Sequence, residues 1–247
     1  MEWRQQNIYD DMEFFDRYSG ERAQPESINA LVEEPEMAKL LPDLTGKTVL
    51  DLGCGFGNSS RDFVERGAEK VVAIDIALRM IEYASAHNAH DKITYRHMDM
   101  YDAGILGEQF DFVYSSLAFH YIAELAPLAE VVARCVKPGG ELLFSQEHPI
   151  KTACKNLFYN DANGKISYFA LNHYLDSGYR KEDSLVARVE HFHRTMSEIL
   201  NTFIEAGFII EKVVEPAPTE AALKIRPSLI KLTMRPDILI VKARRAG

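Results

Sequence analysis

The residues that could do chemistry cluster first around three alternating glycines. In the run LDLGCGFG at 50–57, Asp51 precedes Gly53, Gly55 and Gly57, and Cys54 sits between the first two glycines. Glycines at alternate positions let the backbone turn sharply and let a bulky ligand lie against bare peptide. A dinucleotide fingerprint reads G-x-G-x-x-G, whereas position 58 here is Asn and the pattern is G-x-G-x-G. Asp51 also argues against a pyrophosphate, because a carboxylate repels phosphate; it suits a ligand carrying an ammonium or sulfonium charge. Asp75 lies about twenty residues past the loop, where a carboxylate can accept two hydrogen bonds from ribose hydroxyls.

Such residues act only if a scaffold brings them together. Residues 48–50 form a short apolar run suited to a buried central strand, and it leads straight into the glycines. A helix is predicted directly after them, with Asn58 and Ser59 where N-cap residues belong, running over 59–66 to Gly67. Further strands are predicted at 70–75, 93–97, 110–114 and 141–147, with helices at 77–87 and 125–136, the latter closed by the turn residues 137–140. Strands alternating with helices at this cadence imply a parallel sheet with right-handed crossovers. The rhythm breaks from 149 to 194, a stretch rich in Tyr, Phe and His that is too long for a simple connection and reads as an active-site lid. Thr195 and Glu198 form a capping box for a helix over 196–206. Apolar strands follow at 208–214 and 238–243, joined by the proline-bearing segment 215–236. At the front, residues 1–20 interleave Trp3, Tyr9, Phe14, Phe15 and Tyr18 with acids. Residues 27–41 read as a helix interrupted near Pro35 and ended by Pro42.

The composition narrows the partners. A hydrophobic fraction of 47% supports a real core, and a net charge of −9 with no basic block disfavours tRNA or DNA and favours a small molecule. Cys54, Cys135 and Cys154 are odd in number and lack C-x-x-C spacing, which reads as reduced thiols. No signal peptide and no apolar run of membrane-spanning length is visible, so a cytoplasmic protein with no membrane partner is expected. His191 and His193 would share a face if extended, but no third ligand at sensible spacing accompanies them and no metal is expected.

Residues 50–57 resemble motif I of the class I S-adenosylmethionine-dependent methyltransferases. The run 147–150, the run 174–180, and residues 193–195 with Glu215 and Pro216 resemble one bacterial subgroup, the methyltransferase type 11 group acting on small molecules. The resemblance implies an α/β, doubly wound, mostly parallel seven-stranded sheet with a lid insertion after the fifth strand. It implies one domain over 1–247, a helical cap at 1–42, the lid at 149–194, and a monomer or homodimer. S-adenosylmethionine is the implied cofactor and S-adenosylhomocysteine the product. The glycine loop with Asp51 and Cys54 would approach the methionine portion, and Ser115 would line it. Asp75 would take the ribose, Ile76 would pack on the adenine, Asp99 and Met100 would read the adenine edge, and Tyr9 or Tyr18 would close the amino-acid end.

On the acceptor side, the resemblance puts His120 opposite the transferring methyl, where a general base could act; packing is the alternative. Glu147 and His148, at the end of the fifth strand, point toward the site by topology and are candidates for acceptor recognition or catalysis. Tyr121, Tyr174, Tyr179, Arg180 and His193 complete the candidate acceptor contacts. The tetrad of nucleobase-amine methylating enzymes is absent, since residues 115–118 read SSLA. Three other readings stay in view: a nicotinamide oxidoreductase, which would share the fold but not the glycine spacing, a catalytically silent cofactor-binding protein with the same cofactor motifs, and a macromolecular methyltransferase, which the charge balance disfavours.

Overall fold

A computed structural model describes residues 7–22, 24–153, 158–183 and 188–247. Trp3 and Cys154 lie outside the described residues. The strands are β1 Thr48–Leu52, β2 Lys70–Asp75, β3 Ile93–His97, β4 Phe110–Ser115, β5 Val136–Glu147, β6 Phe158–Asn160, β7 Ile166–Phe169, β8 Gly178–Asp183, β9 Arg188–His193, β10 Phe208–Val214 and β11 Ile238–Arg245. The helices are α1 Met12–Arg22, α2 Glu34–Leu40, α3 Asn58–Glu65, α4 Leu78–His87, α5 Leu125–Cys135, α6 Pro149–Ala153, α7 Met196–Glu205 and α8 Glu220–Ile225.

Seven strands form one sheet in the order β10-β11-β5-β4-β1-β2-β3. β1 to β5 pair in parallel, while β11 runs antiparallel to both β5 and β10. Side chains alternate across a strand, which explains why β1 reads as a continuous apolar run. Leu50 and Leu52 join Val72, Ile74 and Phe144 in the core under α5 and α7. Val49 joins Val71, Ala73, Phe63 and Phe112 in the core under α3. Asp51 belongs to that second face, so a carboxylate is driven into an apolar layer and must find a donor there. The strand order reverses between β1 and β4, and ligands in such sheets bind beyond the carboxyl ends at that point.

Several local expectations shift. α3 starts at Asn58, and its N-cap is Gly57 at φ 80°, without a side-chain cap. The left-handed turn supplies the helix start, and Asn58 instead accepts from Asn88 Nδ2 at 3.0 Å. The expected turn at 137–140 lies within β5, where Gly140 lets the strand pass close to Asp111: a Cβ there would stand 2.9 Å from the Asp111 carbonyl oxygen. The break in the helix at 27–41 comes one turn before Pro35, as a π-helical turn Asn29–Glu33, because Pro35 fits the first turn of α2 without a missing donor. The segment 215–236 contains α8 and a 3₁₀ helix, Pro227–Thr233. Within 149–194, β6 pairs with β7 and β8 with β9 as antiparallel hairpins. The capping box of Thr195 and Glu198 is present on α7.

Ala77 leaves α4 without a side-chain cap of its own. The cap comes from the N-terminal segment instead: Asp10 Oδ1 accepts from Arg79 N at 3.0 Å, and Arg79 Nε donates to the Asp10 carbonyl at 2.8 Å. Asn7 Nδ2 adds a bond to the Ile76 carbonyl at 3.1 Å. A cap of this kind is worth about 1 kcal/mol, and here it also fastens residues 7–10 to the β2–α4 corner.

Candidate functional site

The glycine loop is held from below by β2. Gly53 N and Cys54 N both donate to the Ile74 carbonyl, at 2.9 and 3.0 Å, and Gly57 N closes the turn on Cys54 O at 2.9 Å. All three glycines have positive φ, 74°, 50° and 80° in order. Their surroundings differ. A Cβ on Gly53 would meet Ala118 Cβ at 2.8 Å, and one on Gly57 would meet Tyr95 Oη at 2.5 Å and Ala84 Cβ at 2.9 Å. A Cβ on Gly55 would meet nothing within 4 Å, because Gly55 borders a cavity.

That cavity spans about 1090 Å³ when the open solvent at its mouth is counted. Asp51, Gly53, Cys54, Gly55, Asp75, Ile76 and Met100 line it, and so do Tyr9, Tyr18 and Tyr121. The two carboxyl groups give it its electrostatic character. Asp51 is 1% exposed, accepts from Ser60 Oγ at 2.6 Å, and has its pKa pushed up to about 7. Burial causes that rise, the Ser60 bond opposes it, and the nearby Asp75 adds to it. Asp75 Oδ2 accepts from Gly55 N at 2.9 Å and Oδ1 from Ala77 N at 2.8 Å. Its pKa is raised by burial against these two backbone bonds. Two acids facing one desolvated space create a site for positive charge.

Aromatic rings from the N-terminal segment form the roof. Tyr9 Oη lies 2.9 Å from Tyr121 Oη, so a cap residue meets the loop after β4. Tyr18 packs against Phe56 of the glycine loop with ring centroids 5.9 Å apart, and Phe15 approaches Phe56 at 5.7 Å. The Tyr9 hydroxyl has its pKa raised by burial first and by Tyr121 second, so it stays protonated.

Other expected site residues sit elsewhere. Asp99 is not part of the cavity wall; its carboxylate caps the 3₁₀ helix Met100–Leu106 by accepting from Tyr101 N at 2.9 Å, while Met98 and Met100 on either side face the cavity. Gly104 and Gly107 nearby have open space or only a distant carbonyl where a Cβ would stand. The Ser115 hydroxyl is buried and donates to the Leu52 carbonyl at 2.9 Å; the strand ends there, and Ser116 reaches the cavity instead.

His120, Glu147 and His191 form a separate buried group beside the cavity wall. Glu147 N donates to His120 Nδ1 at 3.4 Å, Lys151 pairs with Glu147 Oε1, and His191 Nδ1 lies 3.4 Å from Glu147 Oε2 without hydrogen-bond geometry. Burial lowers the His120 pKa to about 3, so the ring is neutral, and with Nδ1 accepting it carries its proton on Nε2. A base acting at Nε2 needs the other tautomer. Lys151 and the histidines outweigh burial at Glu147 and hold its pKa near 2. His148 Nδ1 accepts from Ile150 N and its Nε2 meets Glu215 Oε1 at 2.7 Å, away from the cavity wall. His193 bridges Thr152 Oγ1 and the Tyr174 carbonyl, Tyr174 Oη accepts from Met196 N, Tyr179 Oη donates to Glu190, and Arg180 donates to the Tyr179 and Asp176 carbonyls. These contacts hold the 149–194 segment and the start of α7 together. No cluster of three or more His, Cys, Asp or Glu with metal-binding geometry occurs among the described residues.

Arg22, Asn29 and Ser116 line the cavity without having been singled out from sequence. Arg22 carried a signal: it follows Tyr18 by four residues on one helix and so shares its face.

Residues 50–144 match the family described as "Methyltransferase domain". A crystal structure of an S-adenosylmethionine-dependent methyltransferase from Mesorhizobium loti is 38% identical, covers 86% of this chain and 97% of that one, and superposes with a TM-score of 0.79. The chain belongs to the S-adenosylmethionine-dependent methyltransferases. An uncharacterized protein of Haemophilus influenzae is 36% identical over 97% of both chains. Malonyl-[acyl-carrier protein] O-methyltransferase of Salmonella typhimurium is 33% identical over 123 residues, 47% of each chain. For a methyltransferase of this family the cofactor is S-adenosylmethionine, and the cavity fits it: the walls offer two acids for a cation, one arginine, and bare backbone at Gly55. No helix among the described residues is long and apolar enough to cross a membrane.

Proposed function

We propose that this methyltransferase moves the methyl group of S-adenosylmethionine to a small-molecule acceptor in the cytoplasm. When bound, the cofactor supplies a methyl group already activated by the positive sulfur. The chain's own task is therefore alignment, charge complementarity and exclusion of water. Asp75 would hold the ribose hydroxyls, with Ile76 and Met100 flanking the adenine. Asp51 and the glycine loop would face the amino-acid portion, with Arg22 as partner for its carboxylate. Tyr9, Tyr18 and Tyr121 would close the transfer end, and the 149–194 segment would complete the acceptor side.

The observation that carries this reading is the cavity itself, with Asp51, Asp75 and Gly55 on one wall and phenols on the other. A cavity roofed in part by the Tyr9–Tyr121 contact suits a small acceptor, and a net charge of −9 disfavours a nucleic acid. Incubating the protein with methyl-tritiated S-adenosylmethionine and bacterial extract should place label in the low-mass fraction. Label confined to protein or nucleic acid would overturn the small-molecule assignment.

The Asp51 pKa near 7 gives the site a pH signature. A cationic ligand favours the ionised carboxylate, so below pH 7 binding must expel a proton. S-adenosylmethionine affinity should rise with pH up to about 7 and flatten above it, with a limiting slope of about tenfold per pH unit for one proton. Calorimetry at pH 6.5 in buffers of different ionisation enthalpy should show proton release. Zero release or uptake would remove Asp51 from the cation site.

A further inference from the structure

Glu33 has no part in the account above, yet it is 0% exposed. It ends the π-helical turn of the N-terminal segment, a distortion that often marks functional positions. No ion pair to it occurs among the described residues. Its partners are neutral: Oε1 accepts from Ser116 Oγ at 2.7 Å and from Ser145 Oγ at 2.5 Å, and Oε2 from Asn29 Nδ2 at 3.2 Å. The Arg22 guanidinium is near enough to interact with its charge but makes no ion pair with it, so the burial of the carboxyl group rests on these hydrogen bonds together.

The two serines lead to a strained corner. Ser145, on β5, takes the Leu117 amide on both its hydroxyl and its carbonyl oxygen, each at 3.0 Å. Leu117 has φ 49°, a left-handed conformation that side chains other than glycine rarely adopt. Ser116, Leu117 and Ala118 all line the cavity, and Ala118 presses on Gly53 so closely that a Cβ there would stand 2.8 Å away. One carboxyl group thus ties the cap, the tip of β4, the end of β5 and, through Ala118, the glycine loop.

We propose that Glu33 is a positioning residue that holds Leu117 in its left-handed conformation through Ser116 and Ser145, so that the cavity floor takes shape only when the Asn29–Glu33 turn is docked. The turn is part of the wall-building machinery as well as a cover. Asn29, at its start, lines the cavity beside Arg22, so docking also brings these two side chains into place. Undocking would release floor and cover together.

The test is hydrogen exchange on the full chain without any ligand, which keeps it independent of the cofactor assignment. In Glu33→Ala, peptides covering 116–121 and 28–33 should both exchange at least tenfold faster, with β1 and β2 at wild-type protection. Glu33→Gln keeps an acceptor oxygen for the two hydroxyls and should restore most of the protection at 116–121. S-adenosylhomocysteine affinity by calorimetry should fall about tenfold or more in Glu33→Ala and recover in Glu33→Gln. Loosening of 28–33 with 116–121 still protected would overturn the proposal, leaving Glu33 a simple anchor. So would a Glu33→Gln variant as loose as Glu33→Ala. Should Glu33→Ala fail to fold, Ser145→Ala removes the bridging hydroxyl alone and must loosen 116–121, or the proposal fails.

Discussion

Replacing Asp75 with alanine should weaken S-adenosylhomocysteine binding by two to three orders of magnitude, about 3–4 kcal/mol, in calorimetric titration. Each carboxylate oxygen already takes one backbone donor, Gly55 N on Oδ2 and Ala77 N on Oδ1. Each retains a lone pair, and the side chain borders the cavity. The substitution therefore removes two acceptors at the cavity, the proposed partners of the ribose hydroxyls, and also frees the Gly55 amide, which fixes the middle of the glycine loop. Charge-assisted bonds in a desolvated setting contribute about 1.5–3 kcal/mol apiece, and the loop's lost order adds to that. Asp75→Asn is the informative control. Its amide would aim a donor at one of the two backbone N–H groups, so it should recover little of the affinity despite its size. An Asp75→Ala variant binding within threefold of wild type, with an unchanged urea midpoint, would show that the ribose is held elsewhere.

How much of this could be read from the chain alone depends on how local the cause is. The turn at Gly53 to Gly57 and the place of Asp75 beside it were legible because strand, turn and acid are set by neighbouring residues and by one strand pair, although Gly57, expected to approach the cofactor, packs on Tyr95 and Ala84 and does not line the cavity. The parallel pairing of β1 to β5 followed from alternation of strands and helices, and the capping box on α7 from two residues three apart. Three things were not legible. Ser115 and Ser116 exchange roles because the strand ends one residue before the side chains turn to the cavity. Asp10 caps α4 from a distant part of the sequence, so the missing cap at Ala77 could be noticed but its replacement could not. His148, His193, Tyr174 and Tyr179 are chemically capable side chains, but their hydrogen bonds run within their own segment and to its neighbours. Residue type alone does not distinguish a ligand contact from such a bond. Glu33 is the extreme case: an acid in a run of acids, indistinguishable by sequence from the exposed Glu34 and the half-buried Glu36 beside it.

Gly57→Ala should cost roughly 2–5 kcal/mol of folding stability, read as a lower urea midpoint at constant slope. Two effects add. At φ 80° an L-residue is strained by about 1–2 kcal/mol. The new methyl would also lie 2.5 Å from Tyr95 Oη and 2.9 Å from Ala84 Cβ, so β3 or α4 must move. Gly55→Ala separates strain from overlap. It shares the positive φ, at 50°, but its Cβ meets nothing within 4 Å and would project at the cavity. That variant should lose only the strain energy in stability while losing cofactor affinity. A second control acts on the overlap directly. Tyr95→Phe removes the closest atom, along with the Tyr95 Oη bond to the Asn88 carbonyl at 3.0 Å. In the double variant it should therefore cost less than it does in the wild type, a positive coupling in a double-mutant cycle. Equal costs for Gly55→Ala and Gly57→Ala, with no coupling to Tyr95, would mean that backbone conformation alone selects glycine at position 57. The packing of the loop against β3 and α4 would then have no part in holding the cavity open.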